Sequence, residues 1–209
     1  MQMEIKKTLL EARKAYRFLY EYQRRILDLV DFISKKYDYT YQGGYSKFSN
    51  VTPRDGKGNL KSWAWDWLNM YYYEFHFNTR KVGNDEIHFS IFVLNDTGFF
   101  QAKEKNGKAD KKYTNTFENI ELSESKLIFV VGKNQWIGKG FAKNNWGTSE
   151  FVLEETGIYQ ESENQLMLFK SYSLEKFTDE ESALRCIGDF QKYCSENKIQ
   201  LDIREKVGK

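Results

Sequence analysis

At 209 residues, with 32 Lys and Arg against 30 Asp and Glu for a net charge of +2, the chain is sized for one substantial domain and lacks the excess positive charge of a whole-molecule nucleic-acid binder. Hydrophobic residues make up 40% and aromatics 17%, enough for a core built on large rings at half-buried sheet surfaces. The N-terminus carries Glu4, Lys6, Lys7, Glu11 and Arg13 in place of an apolar signal core, and no stretch reaches the ~20 apolar residues that span a bilayer. The expectation is a cytoplasmic protein without a membrane contact.

One domain over 1–209 is expected, composed of a long helix (1–37), a sheet region with loops (38–175), a second helix (178–197) and an edge strand (199–204). In the first segment Ile5, Leu9, Ala12, Tyr16, Leu19, Gln23, Ile26, Val30, Ile33 and Tyr37 recur at strict 4,3 spacing, which lines one side of a helix. A helix of about 33 residues is ~50 Å long, whereas a compact body of this chain length is only about 43 Å across. The helix therefore spans the domain or overhangs it. Midway, Ala15, Tyr20, Tyr22, Leu27 and Leu29 widen the stripe beyond the needs of a two-stranded zipper and favour packing on the sheet. Lys6 and Arg13 make the N-terminal end the expected overhang, a contact for a homodimer or another protein. Arg13, Arg17 and Arg24 share an outer face open to a partner or a phosphate.

From Asp38 to Ser62 the chain reads as a surface loop around Pro53, with Gly56, Lys57 and Gly58 but no phosphate-loop spacing. Trp63 to Phe77 alternates as a strand with a break near Asp66 to Asn69, and Trp63, Trp65 and Trp67 fall on the core face. A turn at Gly83-Asn84-Asp85 leads to a second strand ending at Leu94, so the two form a hairpin. Phe99 to Ala102 begins a further strand, Leu127 to Val131 is a short buried one, and Leu166 to Leu174 is the last central strand. Thr178 caps the second helix, with Glu181 at the capping-box position and Ala183, Ile187, Phe190 and Cys194 as its inward seam. Ile199, Leu201 and Ile203 alternate as the edge strand. The fold class that follows is α+β, with a long N-terminal helix and a C-terminal helix packed on a mainly antiparallel, aromatic-rich sheet.

Two constellations carry chemistry. In an even-sum antiparallel register the hairpin puts Glu74, His76, His88 and Ser90 on one face. The chain's two histidines with Glu74 are a candidate metal set, or a base and its orienter, although no HExxH, paired Cys or third His accompanies them. Ser90 lies two residues from His88, about 7 Å along the same strand, too far for that histidine to serve as its base. The second constellation is the acid-free segment holding Lys133, Trp136, Lys139, Lys143 and Trp146, whose rings and ammonium groups suit a nucleotide or single-stranded nucleic acid, or else anchor a Gly-rich hairpin. Glu154 with Glu155, and Asp179 to Glu181, are carboxylate neighbours whose spacing does not establish the opposed geometry of a glycosidase. Cys186 and Cys194, eight apart on one helix and roughly 12 Å along it, are beyond disulfide reach and read as buried reduced thiols.

No cofactor is named by these residues. The leading expectation is a noncatalytic binding or interaction protein, an inhibitor or adaptor, with a nucleotide, nucleic acid or protein as its ligand. The alternative is a metal-dependent or acid/base hydrolase using the Glu/His cluster.

Overall fold

Period-two alternation of rings and polar residues fills the middle of the chain, and it builds a sheet. In a computed structural model, which describes residues 2–49, 64–134 and 152–203, seven strands form it: β1 (Tyr41–Ser46), β2 (Tyr72–Phe77), β3 (Arg80–Val82), β4 (Asp85–Leu94), β5 (Lys126–Lys133), β6 (Thr156–Ser162) and β7 (Gln165–Ser173). The order is β1-β2-β4-β5-β7-β6, with β3 added to β4, and every described pairing is antiparallel. Helix α1 (Gln2–Lys36) precedes the sheet, α2 (Gly98–Asn106) follows β4, and α3 (Glu180–Glu196) follows β7. The fold is α+β, with long N-terminal and C-terminal helices and an aromatic-rich antiparallel sheet.

Alternation divides the buried residues between two faces. Phe75, Phe77, Ile87, Phe89, Ile91, Leu127 and Phe129 lie under Ile26, Val30, Ile33 and Tyr37 of the first helix segment and Ile187, Phe190 and Cys194 of α3. Tyr72, Phe92, Leu94, Ile128, Val130, Met167 and Phe169 pack on the opposite face with Phe48, Val152, and Phe99 and Phe100 of α2. Covered on both sides, the end of β4 and most of β5 read as near-continuous apolar runs. Tyr37, fully buried, donates its hydroxyl to the Ile187 carbonyl at 2.6 Å, so the end of α1 is locked to α3 through a satisfied polar atom.

The helix α1 has 35 residues, about 52 Å, and only its C-terminal part is held. Residues 4–18 are all exposed; contact with the body begins at Leu19 and is complete from Ile26 onward. The overhang is thus at the N-terminal end, and it is longer than the sequence pattern implied: the broad apolar middle at Tyr16 and Tyr20 does not lie on the sheet.

Several local expectations are corrected. The Trp65 to Trp67 stretch is not strand but a 3₁₀ turn over Ala64–Trp67, followed by another at Asn69–Tyr71. Trp65 packs against Phe48, Tyr71 and Phe117 and donates Nε1–H to the Lys111 carbonyl at 2.7 Å, whereas Trp67 is exposed. The loop expected from Asp38 to Ser62 begins instead with strand β1 (Tyr41–Ser46), and residues 50–63, with Pro53 and Trp63, lie outside the described residues. Phe99 to Ala102 belongs to α2: Asp96 Oδ1 accepts from Gly98 N–H at 2.7 Å at its start, and Gly107 at φ 67° ends it, a left-handed position that suits glycine. The cap of α3 is Asp179 with Ser182, one residue later than Thr178 with Glu181, because the shorter Asp and Ser side chains exchange both bonds of the capping box. Among the described residues 199–203 form no strand; Ile199 and Leu201 instead insert into the core under the helix face.

Because Leu9 is exposed on the projecting turns and Ile33 is fully buried, Leu9→Ala measured by urea denaturation in dilute solution changes stability by less than ~0.5 kcal/mol, whereas Ile33→Ala costs about 2–5 kcal/mol. Equal losses at the two sites would contradict the division of α1 into held and projecting parts.

Candidate functional site

The β2–β4 register pairs His76 with Ser90 and Glu74 with Phe92, so Glu74, His76 and Ser90 emerge on the face opposite α1 and α3. They form one hydrogen-bonded chain. Glu74 Oε2 lies 2.9 Å from His76 Nε2, and His76 Nδ1 lies 2.8 Å from Ser90 Oγ. With the carboxylate ionised, Nε2–H donates to Glu74, and in the neutral ring Nδ1 is left to accept the Ser90 hydroxyl. Glu74 is fully buried, a position a carboxylate holds only with charge and hydrogen-bond partners. The cation is Lys47, whose Nζ is 3.0 Å from Oε1; among the described residues this contact is an ion pair without a directed hydrogen bond to Oε1. Gly44, opposite Phe75, permits the close approach of β1 that delivers Lys47, since a Cβ there would stand 2.3 Å from the Glu74 carbonyl oxygen.

Serine, imidazole and carboxylate in series is the bond order that activates a nucleophile. Here Ser90 has no exposed surface and sits in β4 between β2 and β5, where the strand N–H groups are committed to the ladders. An oxyanion site needs free donors around an accessible oxygen. The arrangement therefore ties three strands together around a buried charge. His88 shares this sheet face, but its Nδ1 is 2.9 Å from Thr79 Oγ1, and among the described residues no three His, Cys, Asp or Glu side chains gather as metal ligands.

Of the basic aromatic segment, Lys133 ends β5 with its Nζ 2.9 Å from Asp85 Oδ2; Trp136, Lys139, Lys143 and Trp146 lie outside the described residues. The hydrogen bonds from Lys133 and Asn134 hold the Asp85 carboxyl below the usual range. A polar cleft of about 750 Å³ at the start of α3 sets Lys126, Lys170, Lys176 and Arg185 against Glu124, Glu155, Glu175 and Asp189, so its charges offset one another, as in the 2.7 Å pair of Lys170 with Asp189. Cys186 and Cys194 are buried free thiols, and burial pushes the Cys194 thiol well up, which suppresses the reactive thiolate.

The remaining feature is apolar. Ile5, Leu9, Tyr16, Tyr20 and Leu27 are each about half to three-quarters exposed on α1, with Phe18 stacked on Tyr22 beside them. A 4,3 seam drifts by ~20° per heptad on a straight helix, so between Ile5 and Tyr37 it turns through roughly a quarter circle. The free stripe is consequently rotated away from the buried one and runs toward Leu27. There it meets a groove of about 510 Å³ lined by Leu27, Val30, Tyr39, Tyr41, Phe75 and Phe77 among others. Burial raises the Tyr39 hydroxyl to about 12 despite the nearby Arg80, in keeping with an apolar wall. Arg13, Arg17 and Arg24 are exposed on the same helix, and Arg24 pairs with Glu21 at 3.0 Å. Lys47 and the groove were not singled out from sequence, because both depend on β1, a strand of Tyr, Gln, Gly and Ser without an apolar pattern.

The PM0109 family profile matches residues 2–201, through the projecting turns of α1 as well as the sheet. The chain belongs to the PM0109 family. No curated protein and no solved structure matches it. No helix among the described residues is long and apolar enough to cross a membrane.

Two measurements check the polar chain. Ser90→Ala removes one hydrogen bond and costs about 1–2 kcal/mol, His76→Ala takes the hydrogen bond from buried Glu74 Oε2, leaving among the described residues only the Lys47 ion pair at Oε1, and costs about 3–5 kcal/mol, and the double variant loses less than the sum because both act on one chain; additive losses in urea denaturation would show two independent bonds. Burial lowers the His88 pKa below 6.5, with Glu86 opposing. The unfolded chain then binds more protons between the folded pKa and 6.5, so this contribution is complete above 6.5 and is lost as pH falls through the folded value. His88→Gln should flatten that acid-side decline in stability.

Proposed function

We propose that the protein is a noncatalytic interaction protein whose contact surface is the apolar stripe of α1 and the groove it leads into. The observation that carries this reading is the exposure of Ile5, Leu9 and Tyr16, at 54%, 53% and 75%, on a helical segment whose residues 4–18 are all exposed. An isolated helix of this length is marginal in water, and contiguous exposed apolar surface on this scale marks a contact site. The free, buried Cys186 and Cys194 support placing its work in a reducing compartment such as the cytoplasm. The hydrolase alternative draws on Glu74, His76 and Ser90, and the complete burial of Ser90 favours a structural role for them.

In-cell photo-cross-linking tests the reading. With a photoreactive residue at Leu9 or Tyr16, adducts to protein are expected in high yield, and they disappear when Ile5→Glu is combined with it. Adducts arising only from control positions on β6, with none from the stripe, would sink the proposal.

A further inference from the structure

The stripe is complementary to itself. In an antiparallel pair of helices, seam positions whose numbers sum to 28 face each other: Leu9 meets Leu19, Ile5 meets Gln23, and small Ala12 meets large Tyr16. The same pairing puts Ala15 against Ala15 across the two-fold axis, where bulk would separate the helices, and Lys6 over Tyr20, where an ammonium finds a ring face. A parallel pair would oppose Ala12 to Ala12 and Tyr16 to Tyr16, leaving one layer empty and the next crowded. Antiparallel pairing also brings the first turn of the second copy beside Leu27, at the mouth of the groove of about 510 Å³; in a parallel pair that turn lies at the far end of the helix. Two tyrosine rings per copy at up to ~200 Å² each, with the exposed halves of Ile5 and Leu9, bring the buried surface to on the order of 1,200 Å², the lower end of stable interfaces.

We infer that the occupant of the stripe is a second copy of this chain, its α1 lying antiparallel along residues 5–23. This rests on the interaction reading above and names its partner. The pairing is an isologous, closed contact. Only Arg13 opposes it, since Arg13 faces its own symmetry mate, and salt screens that repulsion. Association therefore tightens as salt rises, and Arg13→Gln tightens it about twofold at low salt.

Sedimentation of the full chain over a concentration series, together with oxidation of cysteine variants, tests this. The expected species is a dimer of twice the 24.9 kDa monomer that Tyr16→Glu converts to a folded monomer with unchanged far-ultraviolet dichroism below the dissociation range. Ala15→Cys should oxidise to a covalent dimer, whereas Leu9→Cys should not, its sulfurs standing roughly 15 Å apart along the axis. Efficient linking by Leu9→Cys would overturn the antiparallel register. A monomer at ~100 µM would overturn the second copy as occupant, and stripe adducts to a different protein in the cross-linking experiment would then leave the interaction reading standing. A monomer without any stripe adducts would remove both.

Discussion

The pairing of His76 with Ser90 across β2 and β4 is the constraint from which the rest follows. A sheet has two faces and a period of two, so this one register decides that Phe75, Phe77, Phe89 and Ile91 go under the long helices while Glu74, His76 and Ser90 go to the other side. A slip by one residue would put the carboxylate under α1 and the rings on the polar side. The buried chain resists that slip, because a charge at Glu74 is tolerable only where Lys47 and His76 reach it. Specificity of register is a use for a buried ion pair that does not require it to add net stability.

Much of this was legible from alternation alone. The runs from Tyr71 to Phe77 and from Ile87 to Leu94 announce their faces, and an even-sum register suffices to gather Glu74, His76 and Ser90. Pattern cannot specify which nitrogen meets which oxygen: along the strand it set Ser90 beside His88, too distant to bond, whereas the cross-strand His76 does the bonding. Lys47 escaped notice because β1 carries Gly43, Gly44 and exposed tyrosines in place of an apolar face; an edge strand buries too little to leave a signature. β6 escaped for the same reason, its residues being largely exposed. Phe99 to Ala102 looked like strand because two adjacent rings suit either state, and only the turn at Asp96 and the glycine at 107 decide for helix.

The 4,3 seam of α1 holds two kinds of information in one repeat. From Ile26 onward its apolar positions are consumed by the sheet and α3; before Leu19 identical spacing leaves Ile5, Leu9 and Tyr16 exposed. Periodicity reports that a helix has an apolar side and is silent on whose surface covers it. The comparison of lengths supplies the missing step, since about 52 Å of helix cannot be covered by a body of this size.

Separation of the two halves has a thermodynamic consequence. The C-terminal turns are anchored by Tyr37 and the core, so they nucleate the helix, and each further turn propagates from an existing end without bearing the nucleation cost again. Propagation is favourable here because residues 4–18 are rich in Glu, Lys, Leu, Ala and Arg, good helix formers that lose little rotamer freedom. The body thus presents a preorganised helix at little conformational cost, and an occupant of the stripe is spared the ordering penalty that a disordered arm would levy on binding. A long anchored helix is in this sense a device for offering apolar surface at a distance from the core that stabilises it, so changes to the stripe can alter association while leaving the fold intact.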